Sequence, residues 1–242
     1  MSESSTRIEE AVRPRWERRK DARPSELLAA ALQLFVEKGY AGTRLDEVAA
    51  RAGVSKGTLY LYFDNKEELL KAVVRESIVR NIADATETVR SFEGPTPELL
   101  RTIFDGWWAT MGESPASGIT KLMIGECGNF PEIARFYVDE VISPAHALLG
   151  MVLERGIRRG EFRPLADVPL SVHIMIAPLV MLTLWKNSFG PCCNRPLDPR
   201  AYLATHLEST LASLRPLAAT DSTDATERQM RAVKRDGTNK AR

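Results

Sequence analysis

The stretch from Thr43 to Lys66, TRLDEVAARAGVSKGTLYLYFDNK, constrains the fold more than any other, because it reads as two short helices joined by a tight turn. Val48, Ala49 and Ala52 put small apolar side chains on one helical face, and Gly53 follows where a left-handed backbone angle ends a helix. Ser55 stands where a second helix needs its N-cap, and Leu59 and Phe63, four apart, point inward. The pattern is a helix-turn-helix. Ala49 and Gly53 are small enough for the helices to cross closely, which leaves Lys56, Gly57, Thr58, Tyr60 and Tyr62 on or near the outer face. An ordinary helical corner has no need of an outward lysine, a hydroxyl and two phenols within a turn and a half, whereas a DNA groove does.

The flanks support this. Residues 24–38 predict a first helix, with Pro24 and Ser25 at its start, Leu28, Ala31, Leu32 and Phe35 at helical spacing, and Gly39 as its stop. Thr43 reads as the N-cap of the next helix, with its hydroxyl and the nearby amides set against a phosphate. Asp64 and Glu67 read as a capping box for a long helix from about Asn65 to Phe92.

Residues 24–70 closely resemble the DNA-binding domain of the TetR family of bacterial transcriptional regulators. The likeness rests on the first helix with Phe35 and Gly39, then Thr43, Val48-Ala49, Ala52-Gly53-Val54-Ser55, Gly57-Thr58-Leu59-Tyr60, Tyr62-Phe63 and Lys66-Glu67-Glu68-Leu69. It covers about a fifth of the chain; beyond Leu70 only the helical architecture suits the family. The resemblance implies a homodimer on a palindromic double-stranded operator, with two recognition helices about 34 Å apart. It makes Lys56 and Thr58 the base readers, with the lysine on a guanine edge and the Thr58 methyl on thymine, and lets Gly57 bring the backbone close. It makes Thr43, Arg44, Tyr60, Tyr62 and Lys66 the phosphate and groove-wall contacts.

The 242 residues suffice for a DNA-binding unit and a helical body with its own core, and 44% hydrophobic with 27% charged residues is a soluble, globular composition. A net charge of +1 decides nothing about nucleic acid, since a binding footprint depends on where charge clusters. Cys127, Cys192 and Cys193 form neither a disulfide framework nor a metal spacing, and they suit a reducing cytoplasm. Cys192 and Cys193 read as ordinary loop residues, with a thiol sensor as the minor alternative. The polar N-terminus carries no secretory signal. Val168 to Trp185 has no Asp, Glu, Lys or Arg and nears the length of a membrane span, but a helix apolar all round also serves as a subunit interface.

No stretch alternates as a half-buried strand does, so the fold reads as all-α. The expected division is a disordered arm at 1–22 with a basic cluster at 13–20, a helix-turn-helix domain at 23–70, an effector-binding and dimerisation domain at 71–216, and a disordered polar tail at 217–242. Pro144 should kink the long helical run from Pro131 to about Arg159.

In proteins similar to this one the body encloses an effector pocket. Phe104, Trp107, Trp108, Met111, Met123, Tyr137, His146, His173 and Met175 are the candidate lining for a small, mainly hydrophobic molecule, although each also reads as plain core or interface. The last two helices, roughly 168–189 and 199–214, are the expected dimer contact. No catalytic residue, metal or cofactor is expected: the chain has no phosphate loop or nucleophile motif, and His146, His173 and His206 are scattered. The leading reading is a repressor released by that effector. The alternative is a similar DNA binder controlled by a protein partner, or an activator.

Overall fold

The computed structural model describes residues 15–194 and 196–216, with side chains from residue 24 onward. Every regular element among them is helical, as the sequence requires. In chain order the helices are α1 (Arg15–Gly42), α2 (Leu45–Arg51), α3 (Lys56–Tyr60), α4 (Lys66–Val74), α5 (Arg80–Ser91), α6 (Thr96–Trp107), α7 (Ser117–Glu126), α8 (Pro131–Tyr137), α9 (Ser143–Arg158), α10 (Val168–Leu184) and α11 (Pro199–Leu214).

Several expected boundaries move. α1 starts before Pro24, so residues 15–22, expected to be irregular, continue this helix; residues 1–14, the tail at 217–242 and the side chains of the basic cluster lie outside what is described. Gly39 breaks α1 as expected, with φ 78 and ψ 172. The cap of α4 is Asn65, not Asp64: its side chain accepts from the Glu68 amide at 2.9 Å. The cap position of α2 is Arg44, not Thr43.

The long helices run through π turns. Arg75–Val79 joins α4 to α5, Val138–Ile142 joins α8 to α9, and Trp185–Phe189 extends α10. Pro144, the expected site of a kink, closely follows one of these turns: proline cannot donate and its ring crowds the carbonyl four residues back, which a wider turn accommodates.

Packing divides into two buried clusters, and the first does not stop at residue 70. Leu27, Phe35, Val48, Leu59 and Leu70 share one core with Met111, Ile119, Met123, Ile133 and Phe136, so the helix-turn-helix sits on the body's own side chains. The second unites Leu99, Phe104, Trp108, Leu149, Val152, Met175, Leu182 and Leu207. Trp107, half-buried, packs against both. Within this frame α7 lies against α1 so closely that a Cβ on Gly118 would fall 2.5 Å from the Val36 side chain.

Pro131–Arg158 and Val168–Cys192 are long and apolar enough to cross a membrane by length and composition. In the fold each buries one side in the bundle, with Val152 and Leu153 of the one and Val172 and Leu182 of the other almost fully buried, while Leu170, Ile174 and Met181 stay exposed.

Candidate nucleic-acid interface

The recognition helix is held by local chemistry legible residue by residue. Gly53 adopts φ 68, which reverses the chain, and the Val54 amide donates back to the Ala49 carbonyl at 2.9 Å. Ser55 then caps α3: its Oγ accepts from the Thr58 amide at 3.1 Å and lies 2.9 Å from the Thr58 hydroxyl. Leu59 is fully buried, which fixes the rotation of this short helix over the core. Lys56, Gly57, Tyr60 and Leu61 are left exposed as one outward arc, with the Lys56 Nζ 5.9 Å from the centre of the Tyr60 ring.

The candidate contacts separate into groups. Lys56, Gly57 and Tyr60 face outward together as expected. Arg44 is exposed too, with its Nε and Nη2 each 3.2 Å from a carboxylate oxygen of Asp46; this bonding raises the Arg44 pKa and lowers that of Asp46. Thr58 and Tyr62 are half-buried, and the Tyr62 ring packs on the core.

Thr43 and Lys66 turn inward. Thr43 is 1% exposed and its hydroxyl donates to the Gly39 carbonyl at 2.7 Å and that of Leu34 at 3.1 Å, so it braces the break in α1 and is not free for a phosphate. Lys66 donates to the Tyr40 carbonyl at 2.8 Å and lies 4.5 Å from the Tyr40 ring centre, and burial lowers its pKa. Glu126, at the end of α7, accepts from the Tyr40 amide at 3.0 Å, so the same loop is clamped from the body.

The nine candidate pocket residues are not brought together. Met111 and Met123 lie in the first core with Tyr137 packed beside them, Phe104, Trp108 and Met175 lie in the second, and Trp107 touches both. His146 and His173 sit apart, paired edge to face with ring centres 4.2 Å apart. Burial first, and the neighbouring His173 second, hold the His146 pKa below its ordinary value. Tyr137 is half-buried beside the first core, and the burial of its phenol pushes its pKa up to about 12. An open cleft elsewhere, beside the end of α5, is lined by Asp84, Glu87 and Glu93 with Ser91 and Phe92, a poor match for a mainly apolar effector. Among the described residues no cluster of three or more His, Cys, Asp or Glu side chains is arranged to hold a metal. The three cysteines are free thiols.

Sequence reasoning missed Leu61 and Glu126. Leu61 was detectable from its position one turn after Gly57, on the same outward arc. Glu126 was not, because its partners lie 86 and 85 residues away in the chain.

The profile of "Bacterial regulatory proteins, tetR family" matches residues 27–73, and that of "Tetracyclin repressor-like, C-terminal domain" matches residues 93–188. The fatty acid metabolism regulator protein of Bacillus subtilis is 26% identical over 169 residues, which are 69% of this chain and 86% of that regulator. The HTH-type transcriptional repressor KstR2 of Mycobacterium tuberculosis is 27% identical over 185 residues, 76% of this chain and 90% of the repressor. The crystal structure of the regulator FadR from Bacillus subtilis in complex with stearoyl-CoA superposes with a TM-score of 0.63 at 21% identity, over 79% of this chain and 99% of that one.

Proposed function

Because the chain belongs to the TetR family of bacterial transcriptional regulators, which are non-enzymatic DNA-binding proteins, we propose that it is a homodimeric repressor acting in the cytoplasm. It binds a palindromic operator through α3 and leaves it when a small, mainly hydrophobic effector enters the body. The observation that carries the reading is the outward arc of Lys56, Gly57, Tyr60 and Leu61 over the buried Leu59. Lysine donates to guanine edges, a glycine allows close backbone approach, and Tyr60, Tyr62 and Arg44 stand at the margins where phosphates run.

Dimerisation through the last two helices has its own support. Leu170, Ile174 and Met181 of α10 are 56%, 67% and 51% exposed, although the helix carries no charge from Val168 to Leu184. α11 adds the small exposed residues Ala201, Ala204 and Ala212. A second copy related by a two-fold axis would cover both faces, with the small residues permitting close helix approach.

The effector class rests on the apolar and aromatic side chains of the two cores and on the likeness to a regulator that is complexed with stearoyl-CoA. The test is fluorescence anisotropy of the full chain on the DNA upstream of its own coding sequence, titrated with hydrophobic compounds, long-chain acyl-CoA thioesters first. Release by one chemical class is the expected result. Binding that no compound alters would move the control to a protein partner.

A further inference from the structure

Leu61 is 81% exposed, more than any other large hydrophobic side chain among the described residues. Its backbone stays helical, with φ −71 and ψ −19, so its side chain continues the screw of α3 and stands one turn beyond Gly57. Gly57 offers it no cover: the nearest atom to a Cβ built there is the Ser55 Oγ at 3.8 Å. Lone exposed leucines occur on many surfaces. This one stands in line with Lys56 and Tyr60, on the arc that enters the groove.

Thr58, the apolar reader expected from resemblance, is poorly placed for that work. It is half-buried, its amide donates to Ser55 Oγ at 3.1 Å and its hydroxyl lies 2.9 Å from that atom, so capping fixes its orientation. The task passes to a side chain with nothing else to pack against. Along a major groove the base edges present mainly donors and acceptors, and the one protruding apolar group is the 5-methyl group of thymine. A leucine set against guanine or adenine would strip water from N7 and replace no hydrogen bond; set against thymine it buries apolar surface on both partners.

We infer that Leu61 is a specificity-determining residue that packs on the 5-methyl group of one thymine in each half-site, an inference that rests on the operator-binding reading. The bound sequence is first selected from a randomised duplex library with the full chain. Anisotropy then compares the selected duplex with copies in which each thymine in turn is replaced by deoxyuridine, which removes only the methyl group. The wild-type protein should lose about fourfold in affinity at one position per half-site, the value of burying one methyl-sized group, and about fifteenfold with both half-sites changed.

Leu61→Ala should no longer distinguish thymine from deoxyuridine there. It should still respond to 7-deazaguanine at the guanine facing Lys56, and at its exposed position it should melt like the wild type. Thr58→Ser, which removes a methyl and keeps the cap, should retain the full thymine response. The inference is overturned if no thymine responds in the wild type, or if Leu61→Ala keeps the wild-type response; loss of that response in Thr58→Ser would give the contact to Thr58 instead. A library that yields no enriched sequence would overturn the operator-binding reading itself, a failure visible before any deoxyuridine is introduced.

Discussion

The Glu126 carboxylate lies 3.0 Å from the Tyr40 amide nitrogen and 3.4 Å from that of Ala41, so the last residue of α7 closes the left-handed break that Gly39 makes in α1. Lys66 binds the carbonyls of the same two residues, and Phe130 packs edge-on to the Tyr40 ring at 4.7 Å. At its other end α7 is tied to the turn after α10: Asn187 donates to the Ser117 hydroxyl at 3.2 Å, Lys121 donates to the Asn187 carbonyl at 2.8 Å, and Lys186 reaches the Gly112 carbonyl.

Glu126→Ala should therefore destabilise the protein by roughly 1–3 kcal/mol, because it strands amides in a partly buried joint. Glu126→Gln keeps an acceptor and should lose less. Urea unfolding of the two variants beside the wild type checks the order, and equal stability of all three would contradict it.

Gly57 separates stability from binding. It lies in α3 with a negative φ, and an added Cβ meets only an ordinary contact at 3.8 Å. Gly57→Ala should leave folding unharmed or stabilise the helix by about 0.5–1 kcal/mol. The same methyl stands on the groove face, and operator affinity should fall roughly tenfold, the scale of one spoiled base contact. Melting and anisotropy on one preparation show whether the two quantities move in opposite directions.

Thr43 and Arg44, adjacent in sequence, should behave differently. Arg44→Ala should reduce the slope of log affinity against log salt by about one per protomer, as loss of a phosphate contact does. Thr43→Val should leave that slope unchanged and lose roughly 1–3 kcal/mol of stability, since the Gly39 and Leu34 carbonyls lose their donor. Thr43→Ser should match the wild type in both measurements.

That contrast also marks how far the sequence was legible. The cap at Ser55, the reversal at Gly53, the inward Leu59 and the helix from Pro199 to Leu214 follow from rules that act within a few residues, and they appear where expected. Thr43 carries a good cap side chain, but the broken end of α1 lies close enough to claim its hydroxyl, a fact of three-dimensional placement. Asp64 and Asn65 are both good caps, and only the entry angle of the chain chooses between them. The candidate pocket residues were chosen by type; helical spacing does not say which of two cores an aromatic enters, and Trp108 and Met111, three apart, enter different ones.

Tyr137 gives an alkaline signature. Burial raises its phenol from 10.0 to about 12 in the folded chain. The unfolded chain releases this proton more readily, so the stabilisation is complete below pH 10 and is lost as pH rises toward 12. Tyr137→Phe should flatten the decline of stability across that window, as followed by urea midpoints at successive pH values.

The most direct measurement is anisotropy of the full chain on its own upstream DNA and on a scrambled duplex of equal length, at two salt concentrations. The account predicts tight binding to the upstream DNA alone, weakening steeply with salt, and a smaller gap between the two duplexes in Lys56→Ala, which relaxes the preference at one base pair per half-site. Equal affinity for the two duplexes, or no binding to either, would contradict it.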